Sequence, residues 1–239
     1  MESISINKYI SSTGFCSRRA ADKLLDEGRV KINGVIAKKG NRVTDADKVL
    51  IDGKPLKAKE EQVYILLNKP VGITCTTDLK DKDNIVDFVN YPDRIFPVGR
   101  LDKPSQGLII LTNDGDIVNK ILRAGNAHEK EYLVTVTKPI TKSFIKGMAG
   151  GVPILGTMTK KCKVKQIGKH NFSIILTEGM NRQIRRMCEH FDYKVSRLKR
   201  TRIMHLTIGD LPNGKWRHLT KVELDKLKKS VQFSSKTAP

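Results

Sequence analysis

From Phe96 to Thr112 the chain reads Phe-Pro-Val-Gly-Arg-Leu-Asp-Lys-Pro-Ser-Gln-Gly-Leu-Ile-Ile-Leu-Thr. An apolar approach, Phe96 to Val98, and a β-rich exit, Leu108 to Leu111, bracket a turn punctuated by glycine and proline. Such a stretch folds as two extended segments joined by a tight loop, and the loop carries a single carboxylate, Asp102. Residues two apart share a face of extended chain, so Arg100 and Asp102 are placed to look into one cleft. Local pattern alone also allows a simpler role, in which Asp102 closes a turn ahead of Lys103-Pro104.

The segments on either side alternate between strand and helix signals. Val63 to Leu67, Leu108 to Thr112, Tyr132 to Val136 and Phe172 to Leu176 read as strands. Helical patterns fall around Ile85 to Val89, Asp116 to Leu122 and Thr141 to Met148, and Thr220 with Glu223 forms a capping box ahead of a last helix. The helices do not intervene regularly enough for a doubly wound sheet, so the expected class is α+β with a mixed, mainly antiparallel sheet and a central cleft. The first part of the chain is a module of its own. It has short helices at Asn7 to Ser12 and Ser17 to Glu27, the second burying Ala20, Ala21, Leu24 and Leu25. Asn33-Gly34 between Val30-Lys31-Ile32 and Val35-Ile36 is a two-residue hairpin signal. The expected domains are 1–58, a charged linker at 59–62, a larger domain at 63–230 and a frayed tail at 231–239.

Charge decides the class of partner. Forty-five Lys and Arg against 25 Asp and Glu give a formal +20, a field suited to a polyanion. No apolar run approaches the length of a spanning helix, so no membrane partner is expected. The N-terminus has no basic flank ahead of an apolar stretch, and a cytoplasmic location follows as the expectation. Cys16, Cys75, Cys162 and Cys188 are scattered without a metal-ligand spacing, so the expectation is reduced thiols, no metal and no cofactor.

Within the basic excess, Arg18 and Arg19 open a helix, where the macrodipole disfavours cations by roughly 0.3–1 kcal/mol each. Free N–H groups beside two guanidiniums make a phosphate seat, the alternative being an exposed Arg18–Asp22 pair. Farther on, Asn181 reads as the N-cap of a helix whose buried stripe is Ile184, Met187 and Cys188. Arg182, Arg185 and Arg186 are then expected on its flanks as a basic lip, with an Arg185–Glu189 pair as the alternative. Lys194, Arg197, Lys199, Arg200 and Arg202 extend the basic surface.

Gly99-Arg100-Leu101-Asp102 followed by Ser105-Gln106-Gly107-Leu108 resembles the catalytic motif of the RsuA-type RNA pseudouridine synthases. Leu67-Asn68-Lys69-Pro70-Val71-Gly72, Lys130-Glu131-Tyr132 and Gly179-Met180-Asn181-Arg182-Gln183-Ile184-Arg185-Arg186-Met187 are similar to further motifs of that family, in the family's order. In detail they resemble its RluF subgroup, and Pro104, where members commonly carry another residue, stiffens the turn after Asp102. Cys16 to Asp22, Gly28-Arg29-Val30 and Asn33-Gly34 resemble the S-four-type RNA-binding domain, which commonly precedes such catalytic domains.

The resemblance implies isomerisation of a uridine in large-subunit (23S) ribosomal RNA to pseudouridine on a flipped-out nucleotide. Asp102 is then the essential carboxylate, Tyr132 the residue that stacks on the target base, and Arg185 the ion-pair partner that fixes Asp102 in one rotamer. Lys130, Arg100, Arg18, Arg19, Asn181, Arg182 and Arg186 are the candidate RNA contacts. The implied partners are ribosomal RNA or a precursor particle, with transfer RNA as a further candidate, bound by a monomer. A non-catalytic ribosome-assembly factor with the same fold is the competing reading. Glycosidic hydrolysis fits less well, because most glycosidases use two acids and the motifs supply one.

Overall fold

The computed structural model describes residues 3–56 and 61–234. The chain divides into two compact units, 1–62 and 63–239. Lys59 and Glu60 of the expected linker and residues 235–239 of the expected tail lie outside the described residues. Val231, at the start of that tail, is buried at 3 % exposure in one core with Leu227.

In the first unit the Ser17 hydroxyl accepts the Ala20 N–H and starts the helix Arg18–Asp26. Ala21 and Leu25 face a core of Ile6, Ile10, Val30, Val43 and Ile51. Each such aliphatic side chain contributes about 1.5–3 kcal/mol by leaving water. Ala20, expected in this stripe, is exposed. It sits in the first turn, a quarter-turn away from Ala21, on the side turned from the core. Strands Val35–Ile36, Val30–Ile32, Val49–Ile51 and Lys54–Pro55 form an antiparallel sheet in that order. Its two hairpin turns, Asn33-Gly34 and Asp52-Gly53, have φ of 50° and 88°, and 51° and 77°. These positive values match the twist of paired strands and explain the choice of residues.

The second unit is built on a nine-stranded sheet. Its main path runs Lys163–Gln166, Asn171–Leu176, Lys130–Val136, Val195–Ile203, Gln106–Thr112, Tyr64–Lys69, Trp216–His218. All pairings are antiparallel except one, in which Lys199 and Arg200 lie beside Gln106 and Gly107. That parallel contact is close. A Cβ on Gly107 would meet the Arg200 carbonyl oxygen at 2.2 Å, and Gly107 has φ +111°, so only glycine is accommodated there.

Tyr64–Lys69 is buried at every position and Gln106–Thr112 at all but its first. Both faces of these strands are covered, which is why their sequence is a continuous apolar run. One face packs with Ile85, Phe144 and Ile184 from helices Ile85–Val89, Lys142–Gly150 and Gln183–His190. The other packs with Ile117, Ile121 and Leu227 from Gly115–Leu122 and Lys221–Ser230. Lys130–Val136 and Asn171–Leu176 instead alternate buried and exposed, as strands covered on one face do. Val195–Ile203, read from sequence only as a basic stretch, is a nine-residue strand between the strands of Tyr132 and Gly107.

Candidate active site

The loop before Gln106–Thr112 is anchored from within. Leu101 is buried, and its N–H donates to the Cys75 sulfur at 3.3 Å. The Ser105 N–H closes a turn on the Asp102 carbonyl at 2.9 Å, and the Gly72 N–H donates to the Lys103 carbonyl at 2.9 Å. With Leu101 turned into the core, Arg100 and Asp102 on its two sides both line a cleft of about 710 Å³. That volume lies within the range of small-ligand sites.

Arg185 reaches the same cleft from the Gln183–His190 helix. Its Nε is 3.9 Å from the Asp102 Oδ2, too far for a hydrogen bond and close enough for an ion pair. The rest of the guanidinium is held: Nη1 donates to the Val195 carbonyl at 3.2 Å, and Nη2 to the Pro104 carbonyl at 3.3 Å and the Ser105 hydroxyl at 3.2 Å. Arg185 therefore ties the Asp102 turn to the strand Val195–Ile203. Burial, then the neighbouring Arg182, draws this guanidinium below its ordinary pKa, while Asp102 and Glu189 act the other way.

The structure corrects the reading of this helix in three ways. Arg185 is buried at 8 % exposure, not on an outer flank. The helix is not capped by Asn181; it is entered through Arg182 in a left-handed conformation with φ 50° and ψ 33°. Gln183 braces that entry, accepting the Met180 N–H and donating to Glu178. Arg186 turns back to donate to the backbone and side-chain oxygens of Asn181 and does not line the cleft, whereas Asn181 and Arg182 do.

The floor comes from the sheet. Tyr132 pairs across to Arg200, and Arg200 pairs across to Gly107, so one row of the sheet joins all three. Lys130 lies two residues before Tyr132 on the same strand face. Tyr132, Lys130 and Arg200 are 8 %, 7 % and 3 % exposed and all line the cleft. Lys130 is thus buried in the sheet and not a solvated side chain. Its Nζ donates to the His128 carbonyl at 3.3 Å, and burial, then Arg200, pushes its pKa down to about 8.

Two residues outside the candidate set belong to the surroundings of Asp102. Arg200 is fixed by a 2.6 Å bond from Nε to the Leu108 carbonyl, and its Nη2 is buried without a partner. Lys69 is fully buried and donates to the Pro70 and Ile73 carbonyls at 2.8 and 2.7 Å. Burial lowers its pKa, against the pull of Cys75 and Asp102. Lys69 sits in a motif quoted above, which was the available signal for it. Among the described residues there is no group of three or more His, Cys, Asp and Glu placed to hold a metal ion.

In the first unit Arg18 and Arg19 are exposed in the opening turn of their helix, which contains no acid. Asp22 does not pair with Arg18; it accepts the Asn7 amide at 2.9 Å.

A family model described as RNA pseudouridylate synthase matches residues 63–190, and an S4 domain model matches residues 5–49. The dual-specificity RNA pseudouridine synthase RluF of Escherichia coli K12 is 58 % identical over 98 % of this chain and 81 % of its own. This chain belongs to the RNA pseudouridine synthases. The ribosomal large subunit pseudouridine synthase B of Bacillus subtilis is 37 % identical over 93 % of this chain and 95 % of its own. A crystal structure of a pseudouridylate synthase shares 32 % identity at a TM-score of 0.70, over 94 % of this chain and 99 % of that one. The chain is accordingly a synthase of the RsuA type, with an N-terminal RNA-binding domain and an α+β catalytic domain. Among the described residues no helix is long and apolar enough to cross a membrane.

Proposed function

We propose that this synthase isomerises a specific uridine of large-subunit (23S) ribosomal RNA to pseudouridine, with Asp102 as the essential carboxylate. The observation that carries the reading is the position of Asp102. It lines a cleft with the cations Arg100, Lys103, Lys130, Arg182, Arg185 and Arg200, and it is ion-paired to a buried guanidinium at 3.9 Å, whereas the other acid of the lining, Glu178, accepts from the Gln183 amide and the Lys160 N–H. RNA binding alone has no use for a carboxylate there, because it repels phosphate.

The reaction exchanges the C1′–N1 bond of uridine for a C1′–C5 bond. The target nucleotide is flipped into the cleft, as enzymes acting on a base require. Tyr132 offers an aromatic wall on which the base stacks, and Arg185 holds the carboxylate toward it. Asp102 acts in ionised form, by attack on C1′, by addition to the ring or by removal of the 2′ proton. Once released, the base turns, forms the bond at C5, loses the C5 proton and takes one at N1, while any bond made by Asp102 breaks again or the proton it took returns to C2′, so no group is gained or lost overall. Arg100, Asn181 and Arg182 at the cleft, and Arg18 and Arg19 on the RNA-binding domain, are the proposed phosphate contacts.

The substrate class draws on relatives named for RNA in general and for the ribosomal large subunit. Pseudouridine mapping of ribosomal and transfer RNA from cells lacking the gene tests it. One large-subunit site is expected to be lost, restored by the wild-type chain and not by Asp102→Asn. An unchanged large-subunit map contradicts the substrate assignment.

A further inference from the structure

Two buried cations, Lys130 and Arg200, line the floor of the cleft. Arg200 is 97 % removed from solvent; its Nε is committed to the Leu108 carbonyl, and its Nη2 has no partner. Lys130, also buried at 7 % exposure, makes a single long bond of 3.3 Å to the His128 carbonyl. Neither forms an ion pair with a carboxylate among the described residues. Folding such a pair is costly, since an unsatisfied buried donor gives up its bonds to water without replacement. A phosphate does not explain the depth: backbone phosphates stay outside when a base is flipped inward, and the exposed Arg100 and Arg182 are better placed for them. What enters to this depth is the base.

We infer that Lys130 and Arg200 form an anion site for the detached uracil, stabilising the negative charge that spreads over its ring nitrogens and carbonyl oxygens when the C1′–N1 bond breaks. The inference rests on the proposed function above and assigns the leaving-group half of the reaction to the floor of the cleft. Where Asp102 attacks C1′ or removes the 2′ proton, the electron pair of the C1′–N1 bond leaves with N1 and is delocalised onto O2 and O4; where it adds to the ring, the pair leaves with N1 and is delocalised onto O2. The same electrons return to C1′ from C5, the C5 proton is lost, and N1 is protonated. The base is therefore most anionic midway, and donors fixed around it act on that state more than on bound uridine.

Geometry favours this pairing. Tyr132 and Arg200 are directly opposed across two strands, and Lys130 shares the face of Tyr132. A base stacked on Tyr132 brings its rim to both cations. Gly107 lets the chain carrying Asp102 come within contact of Arg200, so the acid and the cationic floor close on one nucleotide. The repulsion that helps to lower the Lys130 pKa is relieved when an anion arrives between them.

The test uses the full-length chain and a short RNA spanning the modified uridine, carrying uridine or 5-fluorouridine at that one position. Fluorine withdraws electrons and makes the base a better leaving anion, so it lessens the need for protein cations. Single-turnover loss of the N-linked nucleoside is followed by chromatography after digestion. Lys130→Met is expected to slow uridine about 100-fold, to slow 5-fluorouridine by roughly a tenth of that factor, and to leave the RNA Kd unchanged. Lys130→Arg, which keeps the charge, is expected to recover most of the rate. Arg200→Met should show the same contrast between bases. Equal slowing of both bases, or a weaker Kd with a smaller salt slope, would mean a positioning or phosphate role and overturn the inference. A wild-type chain inert on uridine would instead contradict the underlying function.

Discussion

At the residue scale the site depends on one arginine that does two things. Arg185 provides the charge opposite Asp102 and also bridges the loop carbonyl of Pro104 to the strand carbonyl of Val195. A lysine keeps the charge but not the planar fork that makes both bridges. Arg185→Lys is therefore expected to cost about 1–3 kcal/mol of stability and to lower turnover about 100-fold through a displaced carboxylate. Tritium release from 5-tritiated RNA and denaturant titration measure these together. Turnover near wild type would show that charge alone suffices.

The position of Asp102 was legible because its loop is local: two strands, a glycine and a proline specify it within seventeen residues. Arg200 was not, since in sequence it is one of several cations between Lys194 and Arg202. Its burial is set by Gly107 and Tyr132, strands away in sequence, which no local pattern reports.

At the scale of elements, turns and caps were the readable part. Asn33-Gly34 and Thr220 with Glu223 form the predicted hairpin turn and capping box, because each is determined by a few adjacent backbone angles. Val195–Ile203 was hidden for the opposite reason: six of its residues are polar or charged, and a register shift at each end of its pairing with Lys130–Val136 breaks the alternation. The capping box supports a second prediction. Glu223 accepts the Thr220 N–H at 2.8 Å and both terminal nitrogens of Arg217 at 2.7 Å, and Arg217 first, then the Thr220 backbone, holds its pKa down to about 2. A carboxyl held below its unfolded value of about 4.3 stabilises the fold fully above that value, and the contribution disappears as pH falls toward 2. The denaturation midpoints of wild type and Glu223→Gln should differ most at pH 6, differ less at pH 3, and converge only as pH falls through 2. A gap independent of pH would place the stabilisation elsewhere.

For the whole molecule, a formal +20 means that much of the RNA affinity is electrostatic and non-specific, so affinity and catalysis are separable. Arg18 and Arg19 lie in the S4 domain, outside the unit that contains the cleft. Arg18→Ala and Arg19→Ala should each reduce the slope of log K against log salt by about 1, leaving single-turnover chemistry at saturating RNA unchanged. An unaltered slope would remove them from the RNA contacts. The complementary measurement goes to the acid. With Asp102→Asn, tritium release from 5-tritiated large-subunit RNA should fall to background while the RNA Kd stays within a few-fold of wild type. Continued release by that variant would contradict the assignment of the chemistry to Asp102.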